Sequence, residues 1–138
     1  MQKLVIILVA FATSLISAQS NYEKGMQKAF ELWGGNSPTE ASNMFERIAN
    51  AEPDNWLPAY YAAQVNIVNS FGLTDEEKLT AQLKKAQDLI NDATAISKNN
   101  PEILVLQALL YTAWVASDGA TYGMTMSPKV EAIYAQAE

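Results

Sequence analysis

Apolar residues recur at intervals of three and four along most of this chain. Tyr22, Met26, Ala29, Phe30 and Trp33 make one stripe, and Met44, Phe45, Ile48 and Ala51 make another. That spacing gathers side chains on one face of an α-helix. No convincing two-residue alternation, the mark of a half-buried strand, runs through the sequence. Two segments are apolar almost throughout. Leu4 to Ile16 is interrupted only by Thr13 and Ser14, and Ile103 to Ala116 only by Gln107 and Thr112. The second is too short to cross a bilayer, which takes about twenty residues, and predicts a helix buried on nearly all sides.

The stripes are punctuated as helices are. Ser20 with Glu23, Ser37 with Glu40, and Thr74 with Glu77 have the spacing of a capping box, in which hydroxyl and carboxylate satisfy each other's backbone N–H groups. Asn100-Pro101 and Ser127-Pro128 pair a capping side chain with a proline whose missing N–H costs nothing in a first turn. Gly34-Gly35, Gly72 and Asp118-Gly119 follow apolar segments and permit a left-handed closing turn. Six helices are predicted, over 20–33, 38–51, 55–70, 75–97, 101–117 and 128–138, with a loop from Ser117 to Met126 before the last.

The first eighteen residues predict an address. Lys3 gives a positive start, the apolar run follows, and Ser17-Ala18-Gln19 offers small residues for cleavage. Residues 1–18 are therefore expected to be a removable signal peptide cut near Ala18. The remaining 19–138 form one domain, periplasmic or secreted, with no stable membrane insertion after cleavage.

The segment from Ala41 to Ala63 repeats by residue class 45 positions later. Ala41 meets Ala86, Phe45 meets Ile90, Ile48 meets Ala93, Asn55 meets Asn100 and Ala63 meets Ala108. Small residues recur where antiparallel helices would approach closely, and larger ones recur a turn later to fill the groove. At Ala41, Phe45 and Pro53-Asp54-Asn55, and again at Ala108 with Tyr111, the chain resembles degenerate tetratricopeptide repeats of secreted bacterial type. Asn66 stands where tyrosine is usual, Ile48 where a small residue is usual and Lys98 where proline is usual. The middle unit also exceeds the family's ~34-residue period by about eleven residues. The resemblance covers approximately Tyr22 to Tyr111. It implies an all-α fold of antiparallel helix-turn-helix repeats, an α-solenoid of about two and a half units, whose second helix in the third unit breaks off at Glu138. A truncated chain or a partner covering that end would account for this.

Chemistry narrows the function. The chain contains no cysteine and no histidine, so thiolates, disulfides and imidazole bases or ligands are excluded. Net charge is -6; Lys3 lies in the signal and every acidic residue beyond Gln19, so fifteen acids face eight bases in the mature chain, leaving -7. Nucleic acid would be repelled. The doublet Lys84-Lys85, followed by Asp88 and Asp92, is expected on a solvated helix face. Asp75-Glu76-Glu77 opens a helix, where the macrodipole favours negative charge. No metal set, phosphate loop or nucleophile motif is present, so no catalytic residue and no cofactor are assigned.

Two groups remain as candidates for binding. Trp56, Tyr60, Tyr61 and Gln64 offer ring faces with phenol and amide groups suited to a peptide or glycan groove. Trp56 and Tyr61 are expected to pack between helices, and Tyr60 and Gln64 to face a groove. Tyr122 and Met124 lie in the loop after Ser117. The expected function is a scaffold that binds a protein or peptide, homo-oligomers included. A structural subunit of an envelope assembly and an all-helical enzyme using carboxylates are the alternatives.

Overall fold

A computed structural model describes residue 19 and residues 21–137. The expected signal over 1–18, its cleavage site and the Ser20 cap lie outside the described residues. What is described is all-helical: α1 through residues 21–34, α2 Pro38–Ala51, α3 Leu57–Ser70, α4 Glu76–Ile96, α5 Pro101–Ser117 and α6 Gly119–Ala137.

Several of the helix ends differ from the expected ones. Ser37 precedes α2, but its side chain makes no capping bond, and its carbonyl accepts from Ala41 N–H at 2.9 Å. Before α4 the cap is Asp75, not Thr74, its carboxylate accepting from the Lys78 N–H at 3.0 Å. The carboxylate therefore does what the capping box assigned to the hydroxyl one residue earlier. Asn100 caps α5 as expected, accepting from the Glu102 N–H at 3.0 Å. No described glycine closes a helix in the left-handed region. Asn36 (φ 62°) and Asn99 (φ 55°) take that conformation, which asparagine, like aspartate and histidine, tolerates better than other residues bearing a side chain. After α1 the bonds from Ser37 N–H to the Leu32 carbonyl and from Asn36 N–H to the Trp33 carbonyl complete the closing motif.

The largest departure lies in the expected loop from Ser117 to Met126, which is helical. Asp118 caps α6, its carboxylate accepting from the Thr121 N–H at 3.0 Å and from the Thr121 hydroxyl. Ser127-Pro128 therefore does not start a helix; Pro128 sits inside α6. Asp118-Gly119 reads as a stop and then a start, and the start takes effect after a single non-helical residue.

Neighbouring helices pack in succession from α2 to α6, and α3 also touches α5. Phe30 lies edge-on to Tyr61 with centroids 4.7 Å apart, which sets α1 beside α3. Gly25 brings α1 close to α2, since a Cβ there would lie 3.2 Å from Ile48 Cδ1. Lys85 Nζ reaches Glu46 Oε1 at 2.7 Å and joins α4 to α2. α1 and α5 thus both reach α3, and α4 reaches α2 across it.

Ala41, Ala63, Ala86 and Ala108 are all 0% exposed. A methyl group at each contact lets the helix axes come close, while Phe45, Ile67, Leu83 and Leu110 fill the space between. Each of those large side chains contributes roughly 1.5–3 kcal/mol by its burial. Gln87 and Gln107 exchange two hydrogen bonds, at 2.8 and 2.9 Å, and pin α4 to α5. α5 is less enclosed than its composition predicts: Ile103, Leu106, Leu110 and Ala113 are buried but Val105 is exposed. The helix covered on most sides is α3.

Candidate functional site

The candidate face is built on α3. Asn55 Oδ1 accepts from the Leu57 N–H at 3.1 Å, turning the chain into the helix, and Pro58 sits in the first turn. No residue of α3 carries a charge. Pro58, Ala59, Ala62, Ala63, Val65, Asn66, Ile67 and Ser70 are buried, and a stripe among the rest holds Tyr60, Tyr61, Gln64 and Val68 and runs on to Phe71 just past the helix.

At the start of the stripe the rings form a chain. Trp56 meets Tyr60 edge-on at 5.5 Å, and Tyr60 meets Tyr61 edge-on at 5.2 Å. Tyr61 stacks on Phe45 at 5.6 Å, while Phe30 closes on both from α1. Phe45 is fully buried, so Tyr61 serves the packing between helices, as the sequence predicts. Trp56 and Tyr60 are half-buried against the same core. Burial raises the phenol pKa of Tyr60, and the carboxylate of Glu102, from the first turn of α5, and then Tyr61 add to the shift. A titratable hydroxyl and an acid thus border the aromatic group. Gln64 is half-buried one turn further along.

Tyr122 and Met124 are not brought to this cluster. Tyr122 packs on Trp114 at 5.0 Å, near the last turn of α5. Glu102, beside Tyr60, is in the first turn, about 18 Å away along the axis at 1.5 Å per residue. Tyr122 lines a cleft of about 380 Å³ with Leu73, Trp114 and Asp118. Asp118 has a lowered pKa, through the Thr121 hydroxyl first and its N–H second, which is the electrostatics of a helix cap. Met124 is 90% exposed on α6. Both residues were expected in a connection and instead belong to a helix.

Sequence reasoning missed two contributors to the α3 face, Val68 and Phe71, both exposed, which the exposed Phe30 of α1 joins. Continuing the stripe from Tyr60 and Gln64 by one more turn reaches Val68, and the absence of any charge on α3 was the available signal. Among the described residues no group of three or more potential ligands is placed to hold a metal ion, and no helix is long and apolar enough to cross a membrane. No protein-family model, curated protein or solved structure matches this chain.

Proposed function

We propose that the chain is an exported helical-repeat scaffold that holds a protein or peptide partner on the face that α3 forms with Phe30 of α1. The observation that carries this reading is the continuous stripe from Phe30 through Tyr61, Tyr60 and Gln64 to the exposed Val68 and Phe71. Large rigid rings offer contact area at little entropic cost, and the flanking amide and phenol groups supply hydrogen bonds that fix an orientation. A repeat organisation is supported by the burial of residues 45 positions apart: Ala41 with Ala86, Phe45 with Ile90, and Ala63 with Ala108.

The test is a selection of displayed peptides on the immobilised mature chain, followed by affinity measurements on the selected sequences. Tyr60→Ala combined with Gln64→Ala, and separately Val68→Asp, are expected to weaken binding at least about tenfold, a loss of roughly 1.4 kcal/mol. Unchanged affinity in both variants would place the partner elsewhere. Export is checked by fractionating cells that express the full chain and sequencing the N-terminus of the product. An intact Met1 in the cytoplasmic fraction would overturn it.

A further inference from the structure

On the other side of α3 lies a cleft, apolar over much of its wall with polar groups set into it, that the partner-binding face does not use. It opens between α2, α3 and α4 with a volume of about 400 Å³, at the low end of the roughly 300–1,000 Å³ usual for small-molecule sites. Its floor is Asn66, only 7% exposed. Asn66 Nδ2 donates to Ser42 Oγ at 2.8 Å and to the Ala62 carbonyl at 2.7 Å. Ser42 donates onward to Glu46 at 2.9 Å, and Glu46 holds Lys85 Nζ at 2.7 Å. From α4, Gln82 Nε2 donates to the Asn66 carbonyl at 3.0 Å.

That seam explains the buried polar atoms but not the walls. Asn43 and Asn69 line the cleft, and their carboxamides make no hydrogen bond to protein among the described residues. Lys78 lines it too, held only by a 3.6 Å contact to Asp75 at an exposed position. Lys85 spends one ammonium hydrogen on Glu46 and keeps two. Four other clefts, lined in turn by Asp75, Glu46, Glu52 and Asp118 among others, all present carboxylates. This one is lined by two lysines and no carboxylate, the carboxylates of Asp75 and Glu46 that pair with them lying outside the lining.

We propose that this cleft binds a small organic carboxylate, its oxygens taken by the ammonium groups of Lys78 and Lys85 and its remaining polar atoms by the Asn43 and Asn69 amides. An ionised acceptor receiving N–H donors from ammonium and amide groups makes the stronger class of hydrogen bond. Glu46 keeps the Lys85 ammonium in place before the ligand arrives, so little side-chain entropy remains to be lost. Leu73 and Ala81 provide an apolar wall for the carbon skeleton. Lys85 was expected on a solvated face near Asp88; its pairing across to α2 is what makes it available here.

The test is an NMR titration of the ¹⁵N-labelled mature chain with L-lactate, run beside glycerol and beside sodium chloride at matched ionic strength. Saturable shifts are expected with lactate alone, centred on the side-chain amides of Asn43, Asn69 and Gln82. Lys78→Gln and Asn43→Asp change the rim and leave the buried seam intact. Each is expected to weaken lactate binding at least about tenfold, the first by removing a charge-assisted bond and the second by placing a carboxylate beside the ligand's own. The proposal is overturned by equal shifts with glycerol, which would mark a site for neutral hydroxyl compounds. Equal shifts with chloride, no saturation with lactate, or undiminished affinity in both variants would overturn it as well. None of these results bears on the peptide-binding face, which shares no residue with the cleft.

Discussion

A carboxamide enclosed by three helices is tolerable only when its polar atoms find partners, because an unsatisfied buried group costs about 1–3 kcal/mol. Asn66 meets that condition through Ser42 and the Ala62 carbonyl, and its neighbours have come to depend on it. Asn66→Ala is expected to destabilise the fold by about 1–3 kcal/mol in denaturant unfolding. In a cycle with Ser42→Ala the two costs should fall short of adding by about 1 kcal/mol, since the first change already removes what the second would. Full additivity would mean that the Asn66–Ser42 bond contributes nothing. Tyr60 offers a second residue-scale reading. Its pKa lies above the ordinary 10.0, with burial the larger cause and Glu102 the next. The folded chain therefore keeps the phenol proton where the unfolded chain has released it. The stability linked to this group is present below about pH 10 and declines as pH rises through the folded value. Ultraviolet titration of tyrosinate, assigned by Tyr60→Phe, should show the last ionisation moving partway down in Glu102→Gln, because burial persists after the charge is gone.

At the scale of the element, periodicity carried the helices and local chemistry their ends, with uneven success. The bounds of α2 and α5 follow from proline at the first turn, which fixes φ and needs no partner for an N–H. Where hydroxyl, carboxylate and glycine compete over adjacent positions, composition does not say which one takes the role. Asp75 supersedes Thr74, and Asn36 supersedes the glycines beside it. Asp75 also makes the cap testable by pH. Its pKa falls below the ordinary 3.8, mainly through the Lys78 N–H it accepts from. Cap stability is thus present above that ordinary value and is lost as pH falls through the lowered one. Asp75→Asn keeps a capping oxygen without the titration, so it should unfold like the parent near neutrality and lose less stability on acidification below about pH 4. In α6, Pro128 removes the N–H that the Met124 carbonyl would otherwise receive. Replacing it with alanine should raise the melting temperature and the helical circular dichroism signal, since proline in a helix interior is about 3 kcal/mol worse than alanine. A lower melting temperature would restore the expectation that a separate helix begins at Ser127.

For the whole molecule, what the sequence made legible was the manner of packing: four alanines spaced by class repetition all lie at closed helix contacts. The candidate face was legible in part, because rings announce themselves by type, whereas Val68 and Phe71 are ordinary apolar residues until the neighbours that leave them uncovered are known. The cleft over Asn66 was not legible at all, since Asn43, Asn69 and Lys78 come from three helices and meet only through the packing. The number of neighbours differs between helices, and that has a dynamic consequence. α3 touches α2, α4 and α5 and has Phe30 of α1 on Tyr61. α6 packs on α5, and none of its described residues is buried; Trp114 on Tyr122 and the Lys129 ammonium 5.4 Å from the Tyr111 ring are its specific ties. A packed helix held by fewer neighbours opens at lower free energy than one held by many. Amide exchange followed by mass spectrometry should show α6 exchanging at least about tenfold faster than α3, an opening free energy lower by roughly 1.4 kcal/mol. Trp114→Ala should widen the gap by loosening α6 while leaving α3 protected. Uniform protection across α3 and α6, collapsing together in that variant, would instead describe one cooperative bundle in which α6 is no weaker than the centre.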